Sequence, residues 1–208
     1  MAGSGGKMPT PIAEKSAQRD RWIAVYIGAL SVVLAICALG GENAAKEASS
    51  KNIEAANTWA WFQAKNMRRD ALRLQTAELE LFLATQLNLD EATRKAFTDR
   101  ISAYRQQEAL LTTEPETGEG LNELFAKAKA LEAERDLARK QDPFFDNGQA
   151  LLQIAIVLAS VAIVSGGSLA LTISAILGLA GTASTLHGFW LGASDGLDSL
   201  KALFPLFF

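Results

Sequence analysis

The sequence predicts an all-α integral membrane protein, with three transmembrane helices and a coiled-coil-like extramembrane helical domain. The distribution of charge is the first observation behind this. The 208 residues carry a net charge of −3 and a mean hydropathy of +0.11, values that suit a soluble domain when charge is evenly spread. Here it is segregated. Neither Trp22 to Gly41 nor Gly148 to Ser194 contains Asp, Glu, Lys or Arg, and about three quarters of the charged residues lie between Glu42 and Asp142. An uncharged apolar run of ~18 residues or more matches the ~30 Å hydrocarbon core at helical rise, and the second run is long enough to cross twice. The second observation is that the charged middle repeats its apolar residues at steps of three and four, the period of helices rather than strands.

Residues 1–21 read as a flexible leader that ends in a basic flank, Lys15, Arg19 and Arg21. The first transmembrane helix follows over 22–41. A cleaved signal peptide shares this design, but its apolar core runs only ~7 to 15 residues, so an uncleaved anchor is expected. Leu34-Ala35-Ile36-Cys37 approaches a lipoprotein cleavage box, and Ile36 spoils it because the residue before that Cys is small. Cys37 is the sole cysteine, which excludes an intramolecular disulfide.

Residues 42–142 form the extramembrane helical domain. From Ile53 onward, Ala56, Ala60, Ala64, Met67, Ala71 and Leu74 make an a/d-like seam whose alanines admit a close neighbour. Trp59, Trp61 and Phe62 project from other faces of the same helix, so it is expected to pack on more than one side. A second helix, capped by Asp90, aligns Phe97, Ile101 and Tyr104. Thr112 to Gly120, with Pro115, Gly118 and Gly120, reads as a loop. A third helix, Leu121 to Lys140, aligns Leu121, Leu124, Ala128 and Leu131.

Residues 143–194 form a transmembrane helical hairpin. Asp142-Pro143 is expected to end the preceding helix, with Asp146 or Asn147 capping the next. Ser165-Gly166-Gly167-Ser168 is the tight turn, and a third span from about Leu169 to Leu191 carries Phe189 and Trp190 near its end as interfacial anchors. Residues 195–208, with Leu197, Leu200, Leu203 and Phe204, read as an amphipathic tail on the membrane surface.

Little chemistry is encoded. One His and one Cys, far apart, make no zinc set, no Lys-Ser or Lys-Thr follows a Walker spacing, and no hydrolytic triad is present. No catalytic residue, metal or cofactor is therefore assigned. Arg68, Arg69 and Arg73 are balanced by Asp70, Glu78 and Glu80, which argues against nucleic-acid binding. His187, inside the third span, relays protons in one reading and donates a structural hydrogen bond in the other, and the structural reading is preferred.

The run Gly40 to Ala48, the segment Asn57 to Lys65, and Asp142 to Asp146 leading into Leu151 to Ser160 together resemble the bacterial family catalogued as domain of unknown function 4337. The resemblance covers roughly Arg21 to Trp190. It implies a bacterial membrane protein of the same membrane, helix, membrane order, and it carries no catalytic residues.

Two surfaces remain as assembly candidates. Ala180, Ser184, Gly188 and Gly192 repeat every four residues as a small-residue ridge, continued one step round by Ser174 and Gly178, and it serves packing within one chain or between chains. Trp59, Trp61 and Phe62 are candidates for docking a partner. The expected function is a non-enzymatic membrane scaffold or accessory subunit, in the bilayer of a bacterial inner membrane with a cytoplasmic N-terminus. It self-assembles as a homo-oligomer, docks a membrane-protein partner, or does both. The alternative is a transport or channel component lined by His187, Thr182 and Thr185.

Overall fold

The computed structural model describes the backbone of residues 11–86 and 88–203 and the side chains of 16–86 and 88–193. Among these residues are four helices and no strand: α1 (Pro11–Thr85), α2 (Glu91–Thr112), α3 (Leu121–Ser165) and α4 (Ser168–Leu203). The leader's first ten residues and the apolar side chains foreseen for the amphipathic tail lie outside the described residues. The chain divides into two compact units, one of residues 1–47 with 137–208 and one of residues 48–136.

The first unit is built from three helical stretches with a common repeat. On α1 the buried side chains Ile23, Leu30, Cys37 and Ala44 are seven apart, with Gly40 buried between the last two. On α3 they are Ala138, Phe145, Leu152 and Ala159, again seven apart, flanked by Gly148, Ala155 and Ala162. On α4 the buried face runs through Ser174, Gly178, Gly181, Thr185 and Gly188 at alternating steps of four and three. A repeat averaging 3.5 residues is the signature of left-handed, knobs-into-holes packing at small crossing angles. Large side chains come mostly from α1 and α3, while α4 supplies Gly, Ser and Thr. The closest approach is at Gly148 and Gly181, where an added Cβ on Gly181 would stand 3.0 Å from the Gly148 carbonyl oxygen. The Ser165–Ser168 turn holds as expected, with Gly166 at φ 66° in the left-handed region open to glycine.

Pro143 corrects one expectation. It lies inside α3 rather than ending a helix, and Asp146 and Asn147 are mid-helix residues rather than caps. The seven-residue register of Ala138, Phe145 and Leu152 passes through the proline unbroken. Burial on both sides of it therefore outweighs the one helical hydrogen bond that a proline forfeits.

The second unit takes residues 48–85 of α1, all of α2 and residues 121–136 of α3. Asp90 caps α2 as expected, its carboxylate accepting from the Thr93 N–H at 3.0 Å, and hydrogen bonding from the Thr93 side chain, together with this backbone bond, holds the Asp90 pKa below its ordinary value. The loop after α2 falls where the Pro and Gly residues placed it, with Gly118 at φ 68°. Leu121, Leu124, Ala128 and Leu131 of α3 are buried, as is Ile101 of α2. Ion pairs tie the helices at their margins: Arg73–Glu108 and Arg105–Glu80 join α1 to α2, and Lys51–Glu134 joins α1 to α3.

Candidate assembly surfaces

Within the second unit, α1 turns toward its neighbours a stripe of Ala55, Thr58, Phe62, Lys65, Arg69, Leu72, Thr76, Leu79 and Leu83, each buried or half-buried. The spacing alternates three and four over four heptads. The stripe contains both polar and charged members. Lys65 reaches the Glu119 carbonyl oxygen and pairs with Glu114, and the Thr58 and Thr76 hydroxyls donate to carbonyls one turn back. Arg69 Nη2 donates to Asn66 Oδ1, while its buried Nε has no partner among the described residues.

The seam expected to be covered is on the opposite side of that helix. Ala56, Ala60, Ala64, Met67, Ala71 and Leu74 are all exposed. With them runs a seven-residue repeat, Ile53, Ala60, Met67, Leu74 and Leu81, whose large members are 58%, 72%, 68% and 66% exposed. A solvated helix ordinarily presents charge on its outer face. This one presents aliphatic side chains over about 40 Å of helix length.

The aromatic candidates are divided by the fold. Trp59 and Phe62 meet edge to face at 5.4 Å, and both meet Phe125 of α3, at 5.5 and 6.2 Å. The Trp59 indole N–H donates to Glu132 Oε1 at 2.9 Å. Lys129, which donates to Glu132 Oε2 and stands over the Trp59 ring, together with that indole bond holds the Glu132 carboxyl below the ordinary glutamate range. Trp59 and Phe62 are thus engaged within the chain, and Trp61 alone of the three stays exposed, at 51%. Beside Trp61 an open cavity of about 400 Å³ is lined by Lys65, Arg68, Leu110, Leu111 and Glu114.

The small-residue ridge of α4 is likewise divided. Gly188 is buried against the Phe145 ring, where a Cβ would stand 3.0 Å from Cζ, and Gly192 lies against Gln141. Ser184 is half-buried and donates to the Phe144 carbonyl at 2.7 Å, whereas Ala180 is exposed. A strict four-residue step advances about 40° round the helix each time, and by Ala180 the row has turned out of the contact that Ser184, Gly188 and Gly192 make with α3. Alternating steps of three and four stay on one face, and the buried face uses them.

Hydroxyls link the three stretches of the first unit. Tyr26 Oη on α1 donates to the Ser174 carbonyl at 3.0 Å, and Ser174 Oγ on α4 donates to the Ala155 carbonyl of α3 at 2.6 Å. Cys37 Sγ, fully buried, donates to the Phe145 carbonyl at 3.2 Å. Thr182 and Thr185 donate to carbonyls of their own helix. His187 is exposed, edge-on to Phe144 at 4.6 Å and stacked with Trp190 at 5.8 Å. Sequence reading missed the Tyr26–Ser174–Ala155 link. Its signal was there in Ser174, which falls on the same seven-residue track as Gly181 and Gly188.

No group of three or more His, Cys, Asp or Glu able to hold a metal occurs among the described residues. Segments Ser16–Thr85, Leu121–Ser165 and Ser168–Ala193 belong to helices long and apolar enough to cross a membrane. A family described as a domain of unknown function, DUF4337, matches residues 19–191. No curated protein and no solved structure matches the chain.

Proposed function

This chain belongs to the DUF4337 family, and from that premise we propose that it is a non-enzymatic membrane scaffold or accessory subunit whose helical domain docks a partner or another copy. The observation that carries this reading is the bare aliphatic stripe on α1, Ile53 to Leu81, on the side of the helix opposite its own core. Contiguous exposed apolar surface of this kind marks contact sites rather than solvated faces. Trp61 adds an exposed aromatic of the type that anchors such contacts.

The bilayer is the other partner. Support for three spans comes from the first unit being apolar outside as well as inside: Val25, Val32, Leu39, Ile154, Val161, Ile173, Ile176 and Leu179 all face outward, while its interior holds Ser174, Thr185 and Gly181. Water gives no reason for that arrangement, whereas lipid does. The spans are those of an inner membrane of bacterial type, with the N-terminus cytoplasmic. Arg19 Nη1 donates to the Gly166 carbonyl at 2.9 Å, so the basic flank of α1 and the short α3–α4 turn share one side. Arg19 and Arg21 immediately precede the first span, whose basic flank usually dominates orientation and is assigned to the cytoplasm.

A photoreactive residue at position 61 or 67, activated in native membranes, tests docking. Reproducible adducts to protein, whether a second copy or a different chain, are expected. Adducts exclusively to lipid or within the same chain would remove the reading.

A further inference from the structure

We propose that the occupant of the α1 stripe is a second copy of this chain, paired in parallel and in register over Ile53 to Leu81. The inference rests on the docking reading above and names its partner. Ile53, Ala60, Met67, Leu74 and Leu81 recur every seven residues, and this repeat, sustained over five rows, supplies one of the two core positions that each heptad of a two-stranded coiled coil uses, the other falling to Ala56, Gln63, Asp70, Ala77 and Ala84 in the register with Leu74 at position a. A partner of arbitrary shape imposes no such period, while a second helix with the same period matches it row for row.

Direction follows from the chain. Copies inserted with one orientation leave the first span at the same residues, so equal positions of α1 lie at equal chain distance from the membrane. Like rows then meet like rows. Ala60, Ala64 and Ala71, all exposed, permit the short interaxial distance of ~8 Å at which such rows interlock.

Charge agrees with this register. In a parallel pair, the residue preceding one row lies beside the residue five positions further along the other strand. Arg73, just before Leu74, therefore faces Glu78 of the second copy, and the pairing occurs twice in the dimer. Arg73 engages Glu108 through Nε and is half exposed; its Nη1 stands 4.0 Å from Asp70 Oδ1, which leaves Nη2 to reach Glu78. An antiparallel pair loses this match.

The area is sufficient for a dimer held in one bilayer. Fully burying a side chain of this size withdraws about 60–120 Å² from solvent at the usual transfer coefficient, so five rows from two strands with their alanine flanks bury on the order of 1,000 Å². That is near the ~1,200 Å² lower bound of stable protein interfaces. Confinement of both copies to one membrane raises their effective concentration and makes up the remainder.

Cysteine pairing in native membranes tests the proposal. The natural chain carries only the buried Cys37, which serves as the background. Oxidation of Met67→Cys or Leu74→Cys is expected to yield roughly tenfold more disulfide-linked dimer than Asp99→Cys on exposed α2, because like rows bring Cα atoms within disulfide range. The double variant Met67→Glu, Leu74→Glu is expected to halve the mass measured by light scattering in detergent while leaving helicity unchanged. Yields at Leu74→Cys no higher than at Asp99→Cys overturn the proposal. So does disulfide formation by Leu74→Cys only with co-expressed Ala60→Cys, which would mean an antiparallel pair. If homodimers are absent but a photoreactive residue at 67 still crosslinks to a different protein, the dimer fails and the docking reading stands. If neither forms, both fail.

Discussion

Replacing Gly181 with leucine should separate α3 from α4, and the structure sets the size of the effect. The new Cβ would fall 2.9 Å from Leu152 Cγ and 3.0 Å from the Gly148 carbonyl oxygen. Leu152 can turn its side chain away, but the carbonyl belongs to the backbone of a packed helix and cannot. Overpacked interiors lose about 1–3 kcal/mol, and with main chain as the obstacle the upper end is expected. A loss of about 3 kcal/mol corresponds to roughly a hundredfold in the unfolding equilibrium. The control is one residue away. Ala180 is rotated about 100° from Gly181 on the helix and is exposed, so Ala180→Leu should stay within about 0.5 kcal/mol of the natural protein. Equilibrium unfolding in mild detergent titrated with dodecyl sulfate, followed by circular dichroism, measures both variants. The packing is refuted if Gly181→Leu unfolds at the natural midpoint, or if Ala180→Leu falls as far, since α4 would then present a different face to α3.

Three further predictions follow from single contacts. Pro143→Ala should raise the midpoint of the same titration by about 1–3 kcal/mol, because an N–H returns to a helix that already runs through this exposed position; a lower midpoint would mean the proline ring supports the fold. Glu132 has its folded pKa lowered by Lys129 and by the Trp59 indole, so its contribution is present above the unfolded pKa and is lost as pH falls through the folded one; indole fluorescence should be flat between about pH 6 and 8 and change on acidification below the ordinary glutamate range. Glu132→Gln, which keeps an acceptor for Trp59, should abolish that acid-induced change, and its persistence in the variant would assign it elsewhere. Thr113→Cys, at an exposed loop position, should react with an impermeant maleimide in intact spheroplasts, whereas labelling only after permeabilisation would reverse the orientation.

Much of the helical architecture was legible in the amino acids because its causes are local or compositional. Uncharged runs at 22–41 and 148–194 mark helices apolar enough to cross a membrane wherever they pack. The Asp90 cap, the Gly166–Gly167 turn and the Pro115 to Gly120 loop depend on backbone preferences that act within a few residues. The inward stripe on α3, Leu121 to Leu131, was readable because its period is uncontaminated by charge.

What only the tertiary structure decided was which face of each helix meets which neighbour. On α1 the outer stripe of Ala, Met and Leu is more apolar than the inner one, which contains Thr58, Lys65, Arg69 and Thr76. Hydrophobic periodicity therefore selects the outer stripe, and the inner one becomes recognisable only when Glu114 and Glu119 are seen opposite Lys65 and Phe125 against Phe62. On α4 Gly, Ala, Ser and Thr appear all around the helix, so small size alone could not separate Gly181 from Ala180. Pro143 continues α3 because Ala138 and Phe145 are buried on one track, and that gain comes from residues far away in the chain. Local propensity is a sum over neighbours in sequence, whereas burial is a sum over neighbours in space, and at these three places the second is larger.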